Sequence, residues 1–129
     1  MSKYKYIRAD VYRRGITIFI GPRKELFKFV EEVYKDNKKL IENVKDTIDS
    51  EALGTTFTED DGQSLIWIPK FPKTPSEIAI LGHEVLHATF ILLDYCNVEY
   101  IHNDSNEPYT YLFEYFMEQA LITEGYEKV

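Results

Sequence analysis

The N-terminal part of the chain has the pattern of a β-strand. Residues 4–20 alternate loosely between apolar and polar side chains, and residues 15–20 are rich in β-branched and aromatic types. Such residues favour a strand. A hairpin with its turn near residues 13–15 is an alternative to one continuous strand, because Arg13 and Arg14 precede Gly15 there.

A second strand region lies in the middle of the chain. Residues 55–58 and 64–68 are both of β type, and Asp61-Gly62 stands between them. An Asp-Gly pair between two such runs is a strong hairpin signal. Pro69 follows the second run directly, and a strand so close to a proline is expected at the edge of its sheet.

Apolar positions between these two regions recur at helical spacing. Gly21-Pro22 ends the first strand region and opens a helix, and residues 36–39 interrupt the apolar stripe before a second one begins. One bent helix and a pair of helices both fit this pattern. The two stripes comprise Leu26, Phe27, Phe29, Val30, Val33 and Tyr34, and then Leu40, Ile41, Val44 and Ile48.

The longest apolar segment, residues 74–97, predicts the central helix of the protein. Thr74 is a good N-cap, Pro75 suits the first helical position, and Glu77 completes a capping-box pattern. The strongly polar side chains between residues 78 and 96 are few, which indicates a helix that is buried all round. They are His83, Glu84, His87 and Asp94.

A polar segment, residues 97–106, separates this helix from the last one. The last helix is expected to start at or just before Glu107, with Pro108 in its first turn and Asp104 or Ser105 as candidate caps. Its predicted buried face consists of Leu112, Phe113, Phe116, Met117, Ala120 and Leu121.

Length and composition predict a single α+β domain over residues 1–129, in which a small antiparallel or mixed sheet packs against helices. No uninterrupted apolar run has the length of a membrane span, and the first residues lack the apolar core of a signal peptide. A single cysteine, Cys96, fits a reducing compartment, so we expect a cytoplasmic protein. The net charge of −7 argues against nucleic-acid binding.

The chemistry of the chain concentrates at residues 83–87, His-Glu-Val-Leu-His. Residues four apart lie on one face of a helix, so His83 and His87 can bring one ring nitrogen each to a single point. Glu84 lies about 100° further round the helix and flanks that point. Two imidazoles on a Zn²⁺ ion beside a carboxylate form the HExxH pattern of zincin metallopeptidases.

A hydrogen-bonded histidine pair in the core is the alternative interpretation of this pattern. We favour a metal, because the chain has three histidines and two of them fall at this spacing around a glutamate. Burying two imidazoles and a carboxylate in an apolar helix is also costly unless a partner such as a metal satisfies them.

A catalytic Zn²⁺ takes three protein ligands, so a third must come from elsewhere. A third histidine six residues after His87 is absent, because position 93 is Leu. Glu107 is the preferred candidate: it lies 20 residues after His87, which suffices for a second helix to start alongside the first. Glu114 is the reserve, and His102 gives an alternative three-histidine site. A helix-capping carboxylate is the non-metal interpretation of Glu107.

These residues also resemble a known family. His83–His87 followed by Asn106, Glu107 and Pro108 is similar to the gluzincin branch of zincin metallopeptidases, and more closely to small metallopeptidase-like proteins encoded in bacteriophage and prophage genomes. The resemblance covers about residues 74–118. It implies a minimal zincin-like domain with an active-site helix carrying HExxH and an edge strand, here residues 65–68, that pairs with substrate. The chain departs from the pattern at Tyr111, where a carboxylate is common.

The predicted function is therefore a zinc-dependent peptidase with His83, His87 and Glu107 as ligands. Glu84 would act as general base, and Tyr111 would stabilise the oxyanion. The expected partner is a peptide or protein substrate. Neither nucleic acid nor a membrane is expected as a partner, and the oligomeric state is not specified. Two alternatives stay open: a non-catalytic metal-binding accessory or interaction domain of phage or prophage origin, and a metallohydrolase acting on a non-peptide amide.

Overall fold

A computed structural model describes residues 2–103 and 106–129 of the protein. A turn of 3-10 helix, Asp10–Tyr12, joins the first two strands. The strands are β1 Lys3–Ala9, β2 Arg14–Ile20, β3 Thr55–Thr58, β4 Ser64–Ile68 and β5 Glu127–Lys128. The helices are α1 Arg23–Val33, α2 Lys38–Lys45, α3 Pro75–Tyr95 and α4 Glu107–Leu121.

The strands form one mixed sheet in the order β3-β4-β2-β1-β5. β1 and β2 form an antiparallel hairpin, as do β3 and β4, and β5 adds to β1 in antiparallel orientation. β2 and β4 pair in parallel, from Ile16 opposite Ser64 to Ile20 opposite Ile68. The α+β class with a small mixed sheet and the hairpin around Asp61-Gly62 are thereby confirmed. Of the two alternatives for the N-terminal region, the hairpin is the one found, with its connection at Asp10–Tyr12 and not near residues 13–15. The two-residue strand β5 was not predicted.

The predicted edge position of residues 64–68 is wrong. β4 lies between β3 and β2, and its last paired residue, Ile68, directly precedes Pro69. The proline ring therefore removes no hydrogen bond from the sheet. The edge strand at this end of the sheet is β3, so residues 65–68 offer no free edge to a substrate.

Helices cover both faces of the sheet. α3 and α4 pack on one face against side chains that include Ile18 and Ile66, whereas α1 and α2 pack on the other against Phe19 and Leu65. Successive residues of a strand point to opposite faces, so β2 and β4 are apolar along nearly their whole length because both of their faces are buried. The result is a helix–sheet–helix sandwich in which α3 and α4 form one outer layer.

The stripes at residues 26–48 belong to two helices, which decides between the two alternatives. The Asn37 side chain accepts a hydrogen bond from the Leu40 N–H at 3.1 Å and caps α2. α4 begins at Glu107 as expected, and its buried face includes Tyr109. Leu121, predicted to be buried, is exposed. The candidate caps Asp104 and Ser105 lie outside the described residues.

α3 is buried on one side only, which corrects the prediction of a helix that is buried all round. Leu81, Val85 and Leu92 face the sheet, whereas Leu86 and Phe90 are exposed on the outer side. By length and composition α3 could cross a membrane, but the core helix of a soluble protein passes the same test. Here its inner side packs on the sheet.

The predicted start of α3 is confirmed in detail. Thr74 accepts a hydrogen bond from the Glu77 N–H at 3.2 Å, and the Glu77 carboxylate accepts one from the Thr74 N–H at 3.1 Å. A hydrogen bond from Lys70, followed by those from the backbone N–H groups of Lys73 and Thr74, lowers the pKa of Glu77 to about 2. This capping box fixes where α3 begins, and hence where its histidines stand.

We predict that Thr74→Ala lowers the free energy of unfolding by about 1 kcal/mol, the usual cost of losing an N-cap.

The pKa of Glu77 falls from 4.5 to about 2 on folding, so its stabilising contribution is present above pH 4.5 and is lost as the pH falls towards 2. Urea unfolding over this pH range should therefore show a smaller acid-side loss in Glu77→Gln than in wild type. An equal loss would contradict the assignment; the exposed Glu118, changed to Gln, is the control.

Glu59 lies where β3 turns towards β4. It makes the stability of the fold depend on pH with the opposite sign to Glu77. Burial, with added repulsion from Asp61 and Asp60, raises the pKa of Glu59 from 4.5 to about 7. The folded chain keeps a proton that the unfolded chain has released, so this contribution is fully present below pH 4.5 and is lost as the pH rises through 7. We predict that Glu59→Gln removes this decline in thermal stability, whereas the exposed Glu51→Gln retains it. A decline that persists in Glu59→Gln would count against the buried carboxyl as its cause.

Candidate active site

α3 directs two imidazole rings towards one point. The Nε2 atoms of His83 and His87 lie 3.1 Å apart, and the ring planes are nearly perpendicular at 83°. Both side chains are exposed, which corrects the expectation that the imidazoles are buried in the helix. The free-energy cost of burying the imidazoles is therefore no argument for a metal. The argument for a metal is that the two ring nitrogens converge.

This spacing suits two ligands of one zinc ion. Zinc–nitrogen bonds of roughly 2.0–2.1 Å at a tetrahedral angle separate two ligand nitrogens by about 3.3 Å, close to the 3.1 Å found between His83 and His87. A hydrogen bond between one protonated and one bare nitrogen has a similar length. The geometry therefore fits a metal and also permits the simple histidine pair.

Glu84 is the buried member of the group, with 7% of its surface exposed. Its Oε2 lies 3.9 Å from His83 Nε2, so the carboxylate flanks the point where the two rings converge. Its Oε1 is 2.8 Å from the Thr56 hydroxyl, which is also 3.1 Å from the Glu84 carbonyl oxygen. The hydroxyl holds one carboxylate oxygen and leaves the other turned towards the histidines.

Thr56 belongs to the edge strand β3 and escaped the sequence analysis. A threonine in a short β run carries no local sign of a partner 28 residues away, and only the packing of α3 on the sheet makes this contact. Gly54 supports it: a Cβ at this position would lie 3.2 Å from Glu84 Cγ and 3.1 Å from Ile80 Cγ2. The absent side chain leaves room for the carboxylate.

A cleft runs along α3 on both sides of this carboxylate. One depression is bounded by Leu53, Ile80 and His83, and its neighbour by Thr56 and His87, while Glu84 lines both. The segment before β3 and β3 itself form the opposite wall. An extended chain lying in this cleft would pass both the histidine pair and the carboxylate.

The structure does not bring the proposed third ligand into this group. Glu107 is exposed on the first turn of α4, and the reserve candidates Glu114 and His102 are also exposed. Across residues 2–103 and 106–129, no three His, Cys, Asp or Glu side chains form a group that would hold a metal ion.

The first turn of α4 nevertheless lies alongside α3. The Tyr109 ring packs on Phe90, with ring centroids 4.8 Å apart, and its hydroxyl donates to the Val98 carbonyl at 2.5 Å. Phe90 is three residues after His87, which is about one helical turn. Glu107 as ligand and Tyr111, also exposed on α4, as oxyanion donor both stay predictions.

No protein-family model matches the chain, and comparisons with curated proteins and with solved structures likewise find no match. The case for a function therefore rests on the residues and their geometry.

The contact between Thr56 and Glu84 gives a direct prediction. We expect Thr56→Val to lower the free energy of unfolding by about 2 kcal/mol, the order expected for a hydrogen bond to a charged group. Thr56→Ser should recover most of this loss, because it restores the hydroxyl. Thr58→Val, an exposed position on the same strand, is the matched control in urea unfolding. Equal losses at the two positions would show that strand packing, and not the carboxylate, explains the effect.

Proposed function

We propose that this protein is a zinc-dependent peptidase of minimal zincin-like architecture. The observation that carries the proposal is the convergence of His83 Nε2 and His87 Nε2 at 3.1 Å beside the buried carboxylate of Glu84. A site that bound metal for stability alone would have no need of a carboxylate next to the ligands. The buried, hydrogen-bonded state of Glu84 supports a role in proton transfer.

His83 and His87 would hold the ion, with Glu107 as third ligand on the strength of the family resemblance. Bound zinc supplies Lewis acidity, which polarises a carbonyl group and makes water acidic near neutral pH. The remaining chemistry belongs to the chain. Glu84 Oε2 faces the histidines, so it is placed to take a proton from the attacking water and to return it to the leaving amine.

Thr56 has a positioning role in this scheme. Its hydroxyl holds Glu84 Oε1, so the carboxylate cannot rotate away from the histidine pair without losing a hydrogen bond. Holding a proton acceptor in one orientation favours proton transfer, because the chain does not have to order the group during the reaction.

β3 is the proposed substrate shelf in place of residues 65–68. It is the edge of the sheet next to α3, and its Thr56 contacts Glu84. Unpaired backbone groups on an edge strand can pair with an extended peptide. A peptide added to β3 would run along the cleft past Glu84 and His87, which line it.

Metal binding without hydrolysis is the second candidate function. It is favoured by the exposure of both imidazoles, although a structural zinc takes four protein ligands and the described part of the chain brings only this pair together. A non-catalytic accessory domain of phage or prophage origin would use the histidine pair in this way. Glu84 separates the two candidates, since only hydrolysis requires it.

The metal site is tested by elemental mass spectrometry of the purified chain after supply of zinc. We expect about one zinc per chain in wild type, in line with one catalytic site, and a loss of zinc in both His87→Ala and Glu107→Gln. Glu118→Gln, an exposed carboxylate on the same helix as Glu107, is the control. Zinc lost in His87→Ala but kept in Glu107→Gln would transfer the third position to Glu114 or His102. Wild type without zinc would overturn the proposal.

Glu84→Gln then separates hydrolysis from simple binding. This variant should keep its zinc and lose peptidase activity on an unfolded protein substrate by about 10²–10⁴-fold, the contribution typical of a general base. A chelator should change the melting temperature little if the site is catalytic and greatly if it is structural. A zinc-loaded wild type that cleaves nothing and unfolds with chelator would support the accessory-domain function.

A further inference from the structure

Charge is divided unequally between the two halves of this chain. Ten Asp and Glu residues and no Lys or Arg stand between positions 74 and 127, whereas 14 of the 15 Lys and Arg residues precede position 74. α3 and α4 lie within the acidic half and form one outer layer of the sandwich. Apart from the histidines, the charged side chains that α3 and α4 themselves carry are therefore all acidic.

The same layer exposes a group of apolar side chains. Leu86 and Phe90 are 45% and 41% exposed and stand one turn apart on α3; Tyr100 and Ile101, in the segment after α3, are 44% and 39% exposed. The Phe90 and Tyr100 rings lie 5.6 Å apart. We name these four residues the outer patch. Single exposed apolar residues are ordinary, but a contiguous group rimmed by polar residues indicates an interaction site.

Exposed carboxylates share the α3–α4 layer with the outer patch. Asp94 follows Phe90 by one turn of α3, Glu99 precedes Tyr100, and Glu118 stands on the exposed side of α4. In the described part of the chain, neither Lys nor Arg lies within ion-pair distance of these three carboxylates. Their charge is thus available to a partner.

We propose that the outer patch binds a cationic amphipathic segment of another protein. Apolar contacts with Leu86 and Phe90 would supply much of the affinity, and Lys or Arg side chains of the partner would pair with these carboxylates. Such complementarity steers association and selects partners. Leu86 lies between His83 and His87 in sequence, so the bound segment would lie beside the histidine pair. Binding at this surface uses neither a metal nor the proposed hydrolysis.

The charges also argue against two other binding partners, a second copy of the chain and a membrane. A second copy bound through the same patch would bring two acidic layers together, which costs free energy. A membrane with anionic lipids would be repelled for the same reason, although α3 is apolar enough for membrane contact. A cationic partner is the one for which apolar and electrostatic contacts agree.

The test uses the full-length, metal-free chain and a fluorescent synthetic helix of Lys and Leu with one apolar face. Fluorescence anisotropy should show saturable binding that weakens with salt. The triple variant Asp94→Asn, Glu99→Gln, Glu118→Gln should weaken binding roughly tenfold, as removal of several rim charges does. The matched triple variant Glu31→Gln, Glu32→Gln, Glu42→Gln changes net charge equally on the opposite layer and should change the Kd less than about twofold.

The apolar half of the proposal has its own pair of variants. Leu86→Ser should weaken peptide binding several-fold, whereas Val33→Ser, at a somewhat more exposed apolar site on α1, should leave it unchanged. Circular dichroism and the melting temperature show that each variant is folded. A peptide in which Glu replaces Lys, and one in which Ser replaces Leu, should both fail to bind.

Several results would overturn the inference. Equal weakening by the two triple variants would mean general attraction to an acidic protein. Binding of the Glu-containing peptide would show that charge does not select the occupant. Self-association in sedimentation that disappears in Leu86→Ser would assign the patch to a second copy of the chain. Binding to phosphatidylglycerol vesicles in preference to the Lys–Leu peptide would assign it to a membrane. None of these outcomes depends on metal content or on peptidase activity. Failure of this inference can therefore be told from failure of the proposed function.

Discussion

The parallel pairing of β2 with β4 sets the layers of this fold and the position of its edge strand. A parallel connection cannot be made by a tight turn, so the chain must leave the sheet and return. It does so through α1, α2 and β3, and the two helices cover one face. The other face is left to α3 and α4. The same connection sets β3 outside β4, where it becomes the edge strand beside the candidate active site.

The candidate site depends on this edge because its parts come from two different layers. α3 supplies the histidine pair and Glu84 from a single helical segment, and β3 supplies the hydroxyl of Thr56 from the sheet. A helix by itself can set the spacing of its side chains, but it cannot decide which carboxylate oxygen is held and which is left open. The contact with β3 makes that choice, and Gly54 leaves the space for it.

Burial and charge follow the same division of layers. The inner side of α3 packs on the sheet, while its outer side exposes His83 and His87 together with Leu86 and Phe90. Of the 15 Lys and Arg residues, 14 precede Pro75, so the charged side chains of α3 and α4 other than histidine are all acidic. The reacting groups proposed for the site and the outer patch thus share one exposed helix face.

Local patterns along the chain predict most of the elements and the spacing of the reactive groups, because these depend on contacts between near neighbours. The hairpin around Asp61-Gly62, the capping box that starts α3, the start of α4 at Glu107 and the four-residue spacing of the histidines were all read in this way. Packing between distant segments sets which strand is the edge, which side of α3 is buried and that Thr56 holds Glu84. These features join residues far apart in the chain. Apolar content alone does not distinguish a helix that is enclosed on all sides from a helix that packs on a single face. A proline that follows the last paired residue of a strand does not determine the order of the strands in the sheet.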